Sequence, residues 1–434
     1  MIKRNSTSMT SFSNGNKKDG IVRETEEPHK NSKFLEIIIY VIFLFGPLTG
    51  NIVLVLFHVL SVEFSVSPDA ILIAIPAFMF PFAFTQLFSG AISDLKGRFP
   101  VIITGLIIFG IAMLLAAISG SLEMYAIANI LGGIGFGLIN PVLIALIADT
   151  TTPSNIPKKM GFLGASANLG VGLGPLLASQ MILIGWQSIY ILFIGITIFG
   201  LIYFIISKPP PQEIPEKSGI SVLFSQLSTE LSRLVVILML FSAFLISHTY
   251  LAITIWTSRS LSGILDESLI GLILGASGVG AAITGVLTGS TIKKKGVGIP
   301  LLIGSIFLFT ALIIFILLGD ITQADKIVFL ATGWIFSGLS GGILFPALTY
   351  YSQVLSPERR GALAGLLTMG YFIGIALVPT TLAPISELYG ITGIYICILG
   401  ISVLFVASLF LLYKVAKRKV LNLEPVLHKT IADL

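Results

Sequence analysis

Gly90-Ala91-Ile92-Ser93-Asp94-Leu95-Lys96-Gly97-Arg98 is a short charged island between two long apolar runs. An apolar run of about 20 residues or more is long enough to cross a bilayer as a helix. A tight, charged, glycine-bounded turn between two such helices must therefore lie at a membrane surface. Which surface it occupies follows from the rest of the chain.

Of the 434 residues, 55% are hydrophobic and only 11% charged, and the mean hydropathy is +0.99. Soluble domains carry roughly 25% charged residues, so most of this protein's surface faces something other than water. Apolar runs recur near residues 35–60, 69–93, 100–118, 123–149, 159–183, 188–207, 233–257, 267–291, 298–318, 326–352, 361–386 and 391–413. The expected fold is an all-α membrane protein with twelve transmembrane helices in two six-helix bundles, a 6+6 pseudo-repeat. A β-barrel would instead show alternating segments of about 10 residues. Residues 1–33 are polar without apolar period and read as a disordered cytoplasmic tail. The bundles then span 34–207 and 233–414, joined by a linker over 208–232 and followed by a tail over 415–434. Lys208-Pro209-Pro210-Pro211 stops the sixth helix; the apolar spacing of Ile220–Leu231 then predicts an amphipathic helix on the membrane surface.

Under a twelve-helix plan, all but two of the 26 Lys and Arg residues, Arg259 and Lys326, fall on one side. The positive-inside rule makes that side cytoplasmic. Both termini and the Gly90–Arg98 turn are thus expected in the cytoplasm, in a multi-pass protein of the plasma membrane. The net charge of +5 comes from these loops and points to no nucleic-acid partner. The lone Cys397, inside an apolar run, leaves no disulfide; no metal or cofactor is expected, and a monomer is. The partners to expect are the lipid bilayer, a small-molecule substrate and, if transport is ion-coupled, protons.

The halves also resemble each other. Gly289-Ser-Thr-Ile-Lys293-Lys-Lys-Gly296 repeats the glycine spacing of Gly90–Gly97 in the eighth-to-ninth loop, with Lys293 where Asp94 would stand. Pro141 and Pro175 lie 34 residues apart, and Pro346 and Pro379 lie 33 apart. A weak six-helix repeat is a sequence sign of a transporter whose binding site lies at the repeat interface.

Gly90-x-x-x-Asp94-x-x-Gly97-Arg98 in the second-to-third loop, its degenerate copy and the 6+6 plan together resemble the major facilitator superfamily, over about residues 35–415. In physical terms, Gly90 would let the second helix approach a neighbour closely, and Gly97 would allow the tight turn. Asp94 could face the partial positive charge of a helix N-terminus. The resemblance implies that this N-terminus is the start of helix eleven, near Gly361, that Arg98 bridges Asp94 and Asp149, and that the three charges latch the cytoplasmic side. Ser356-Pro-Glu-Arg-Arg-Gly361 fits the family well. In helix five, Gly161, Gly170, Gly174 and Pro175 resemble the motif of the drug and metabolite antiporters, with Ala178-Ser179 in place of a terminal Gly-Gly. A departure is Asn129, where the antiporter pattern has an arginine.

An ionisable residue inside the membrane marks a functional site by default, but every acid here falls in a tail, a loop or a helix end. A strongly cationic substrate is disfavoured. His248, in helix seven, is the one titratable group of the right range at depth and a candidate proton site, with hydrogen-bonded packing as the competing role. Asn51, Gln86, Asn140, Tyr250 and Tyr371 are the further candidates for a substrate or proton site. The resemblance implies that helices 1, 4, 7 and 10 line the cavity. The expected function is alternating-access efflux of small amphipathic or neutral compounds, possible coupling being to protons. The alternative is an uncoupled facilitator or importer. A membrane-embedded enzyme would need a converging set such as two His with an acid, and a single deep His does not supply one.

Overall fold

The computed structural model describes residues 30–152, 155–209, 220–319, 326–355 and 360–432. The disordered tail expected over 1–33 lies outside the described residues as far as 29, and helix already begins at Lys30. Among the described residues, eleven helical runs are long and apolar enough to cross a membrane. The last, Ala362–Lys417, is 56 residues long and is divided at Gly390, which has φ +61°. The runs thus supply twelve spans, in two bundles of six.

In the first bundle α1 is Lys30–Asn51, continued by a 3-10 turn, Ile52–Val55, and a short helix, Phe57–Glu63. Then follow α2 (Ala74–Lys96), α3 (Arg98–Ala117), α4 (Leu122–Asp149), α5 (Ile156–Met181) and α6 (Ser188–Ile206). In the second, α7 runs Leu234–Ile246, passes through a π turn, Ser247–Leu251, and resumes as Ala252–Leu261. α8 is Glu267–Lys295, α9 Gly298–Leu318 and α10 Ile327–Val354. α11 and α12 are the parts of Arg360–Ala432 before and after Gly390. Helix Ile220–Leu231 fills the second part of the linker. It lies against α2 and α11, with Leu227 buried and Phe224 on Phe88 at 5.7 Å.

Apolar composition on both faces explains the spans. On α3, Leu106, Phe109 and Met113 are buried while Ile107, Ile111 and Leu114 stay exposed, the pattern of a helix between protein and lipid. The pseudo-repeat is visible in the packing. The pairs α1–α5, α2–α4, α3–α4 and α3–α6 recur six helices later as α7–α11, α8–α10, α9–α10 and α9–α12. Gly97 and Gly296 occupy equivalent turns with φ +91° and +77°, a backbone region open chiefly to glycine. Each donates its N–H to the carbonyl four residues back, Ser93 and Ile292.

The bundles meet along two seams, α2 with α11 and α5 with α8. The second is backbone on backbone: a Cβ on Gly278 would stand 2.2 Å from the Gly172 Cα. Toward the lysine-rich end this contact ends among the described residues, since a Cβ on Gly164 or on Gly289 would meet none of them within 4 Å. At the opposite end the bundles are tied by polar contacts. The Ser258 hydroxyl donates to the Leu54 carbonyl, and Arg259 pairs with Asp69 at 2.8 Å.

Candidate functional site

Between the bundles lies a cavity of about 270 Å³. It is lined from α1, α2, α4, α5, α7, α8, α10 and α11, twice the set implied by the family resemblance. The reason is the two seams: where α2 meets α11 and α5 meets α8, those helices also wall the space. Among the described residues, none that lines it is Asp, Glu, Lys, Arg or His.

Irregular helix builds part of the wall. α1 contains Pro47, which has no N–H to donate, and it leaves α-geometry after Asn51. Asn51 donates to the Pro47 carbonyl at 2.6 Å, and Ser258 reaches a carbonyl in the 3-10 stretch. Non-helical backbone is tolerated in a bilayer only where such partners or a cavity receive it. In α7 the π turn inserts one residue into the helical phase. It sends Tyr250 to the cavity, where its hydroxyl pairs with that of Tyr371 at 2.5 Å. The Tyr250 ring stands where a side chain on Gly341 would, 2.6 Å from that Cβ.

Of the residues singled out from sequence, Asn51, Asn140, Tyr250 and Tyr371 line the cavity. His248 and Gln86 do not. The His248 ring is buried between α7 and α11, with Nε2 3.2 Å from the Thr381 hydroxyl and Nδ1 3.2 Å from the Phe244 carbonyl. Gln86 is buried on α2 against α4, beside Gly137. Asn168, Thr254, Ser277 and Thr368 complete the polar lining.

In α5, a Cβ on Gly170 would lie 2.4 Å from the Leu44 carbonyl oxygen and one on Gly174 2.5 Å from that of Leu48, so both mould α5 to α1. Pro175 lines the cavity, and its carbonyl faces Gly271 of α8. Gly161 lies in α5 with its surroundings outside the described residues. The glycines of α8 that face this seam, Gly271, Gly275 and Gly278, carry a sequence signal of their own, since their spacing places them on one helical face.

At the lysine-rich end, Arg98 at the start of α3 donates to Asp94 at 2.5 Å, to the Ser93 hydroxyl at 2.6 Å and to Asp149 at 2.9 Å. These groups belong to α2, α3 and α4 of one bundle. Residues 356–359 and the side chains of 360 and 361, where the partner of Asp94 is expected, lie outside the described residues. Among the described residues, a Cβ on Gly90 would meet nothing within 4 Å.

Two bundles of six helices around an uncharged central cavity define the class, a polytopic membrane transporter. The family model "Major Facilitator Superfamily" matches residues 39–379 and 257–433, and the chain belongs to that superfamily. Among its relatives, Multidrug resistance protein 1 of Bacillus subtilis (strain 168) is 25% identical over 305 residues, 69% of this chain and 77% of that protein. Quinolone resistance protein NorA of Staphylococcus aureus (strain MRSA252) is 23% identical over 305 residues, 68% and 76% of the two chains. A crystal structure of a mutant of the nucleoside transporter NupG matches with TM-score 0.72 at 12% identity, covering 87% of this chain and all of that one. The last likeness concerns the fold alone.

Proposed function

We propose that this protein exports small neutral or amphipathic compounds across the plasma membrane by alternating access, as a monomer with both termini in the cytoplasm. The observation that carries the substrate class is the uncharged cavity between the bundles. A charged solute would enter it without a counter-ion, which is costly in a low-dielectric site. The names of the multidrug and quinolone resistance relatives support the outward direction. The polar ties at the end opposite the lysine-rich loops suit an inward-facing state, ready to load from the cytoplasm. Asp94, Arg98 and Asp149 then act as the cytoplasmic latch, with Gly90 approaching the second bundle only when that side closes. The domain boundaries at 34–207, 208–232 and 233–414 are those of the moving units.

A second reading, facilitation without ion coupling, is favoured by two observations: His248 faces Thr381, and no carboxylate lines the cavity among the described residues. Proteoliposomes loaded with a neutral fluorescent amphiphile decide between them. Proton-coupled export requires faster efflux with an imposed pH gradient; rates indifferent to it leave facilitation. No transport of any neutral amphiphile, with charged solutes carried instead, would refute the substrate class.

A further inference from the structure

We propose, resting on the transporter reading above, that the cavity selects flat, uncharged aromatic molecules bearing a carboxamide or comparable neutral hydrogen-bonding group on the edge turned to the first bundle. The flatness comes from a run of rings that crosses the bundle interface. Phe82 meets Phe372 at 4.6 Å, Phe372 meets Tyr371 at 5.2 Å and Tyr371 meets Phe345 at 4.4 Å between centroids. All four line the cavity, and offset or edge-on packing against such rings favours an aromatic guest over an aliphatic one.

The orientation comes from how the polar lining is already committed. On the second-bundle side the threonine and serine hydroxyl protons are spent: Thr254 on the Tyr250 carbonyl at 3.0 Å, Ser277 on Trp334 at 2.8 Å and Thr368 on Ala364 at 3.0 Å. Tyr250 and Tyr371 hydrogen-bond each other, which engages one of their two protons and leaves a single hydroxyl donor on that side. On the first-bundle side the carboxamides of Asn140 and Asn168 make no hydrogen bond among the described residues, and Asn51 keeps its oxygen free. Each free carboxamide offers two donors and an acceptor. A neutral amide answers both, whereas a carboxylate or an ammonium answers one kind and leaves its charge unpaired.

The test is equilibrium binding to the purified full-length protein of three probes sharing one ring: naphthamide, naphthoate and naphthyltrimethylammonium. Binding is read without transport, so a failure here is separable from failure of the transporter reading. Naphthamide should bind at least about tenfold tighter than either charged probe. Asn140→Leu and Asn168→Leu should each weaken naphthamide by about three- to tenfold while leaving naphthalene itself within about twofold. Tyr371→Phe, which removes a hydroxyl already paired within the protein, should change naphthamide affinity less than either. Equal or tighter binding of the ammonium probe overturns the proposal, as does naphthamide binding indifferent to both asparagines. The ranking in the unaltered protein decides alone if a variant does not fold. If none of the three probes binds while proteoliposomes still transport another neutral amphiphile, the substrate class is wrong and the transporter reading stands.

Discussion

Gly278→Ala adds one methyl group at the tightest point of the α5–α8 seam. The new Cβ would sit 2.2 Å from the Gly172 Cα and 2.7 Å from its nitrogen. Both are backbone atoms, so no rotamer change relieves the clash. Carbon–carbon contacts settle near about 3.5 Å, so α5 and α8 must part locally by more than about 1 Å. Overpacking of this kind costs about 1–3 kcal/mol. The neighbouring contacts on the same face, Gly271 against Ser179 and Gly275 against Leu176, open with it. If this seam is tight only in the conformation described here, that cost moves the balance between states by about 5- to 150-fold. The assay is labelling of Ile144→Cys, in a Cys397→Ser background, with a membrane-impermeant maleimide from the cytoplasmic side. Ile144 lines the cavity and is 36% exposed. Gly278→Ala should slow labelling and lower the apparent Tm. Gly289→Ala, on the same helix, is the control: its Cβ would meet nothing within 4 Å, so labelling and Tm should stay put. Wild-type behaviour of Gly278→Ala, or equal damage from Gly289→Ala, would refute the reasoning.

Arg259→Gln removes the charged tie to Asp69, whose side chain is 61% exposed. A pair this wet is worth about 0–1 kcal/mol, so outward accessibility of Thr254→Cys should rise by no more than about fivefold, and high salt should mimic the change in the unaltered protein. Asp94→Asn weakens a charge-assisted bond to Arg98 and should lower transport in a protein that still purifies as one species; unchanged cavity labelling in that variant would remove the latch. His248→Gln should leave the pH profile of transport where it is, while the lost bond to Thr381 costs about 1 kcal/mol of stability. A flattened profile would return His248 to a coupling role.

The spans were legible because bilayer crossing needs length and apolarity, and both can be counted along a chain. What counting cannot supply is azimuth. His248 and Tyr250 sit at nearly the same depth, yet two residues of helix turn a side chain through about 200°, and the π turn shifts the phase again. Tyr250 therefore reaches the cavity while His248 faces Thr381. Asn51 and Asn140 were recognisable as polar groups at depth on cavity helices; Asn168 on α5 lines the space as well, because α5 walls it through its seam with α8. That seam did have a signal. Gly271, Gly275 and Gly278 recur at steps of four and three, the spacing that puts residues on one helix face. Read beside Gly172 of α5, it would have pointed to a backbone contact between the bundles.

The charges of this protein sit at its two ends and not in its middle, and the magnitudes give a reason. A transporter must hold two conformations within a few kcal/mol of each other. A buried ion pair broken in the course of the cycle would cost about 3–5 kcal/mol, enough to trap one state. Pairs near water, such as Asp69–Arg259 and the partly exposed Asp94–Arg98–Asp149 cluster, cost far less to break and re-form. The repeated loop illustrates the division of labour. Gly97 and Gly296 keep the same left-handed turn, whereas Lys293 takes the place of Asp94. The backbone geometry that joins the helices is thus retained in both halves, and an acid stands at this position in only one of them. A Lys293→Asp substitution tests this asymmetry directly. It should change cavity accessibility only if the second loop can be given a latch of its own, and a variant that labels like the unaltered protein would place the bias in the surroundings of Asp94 rather than in the acid itself.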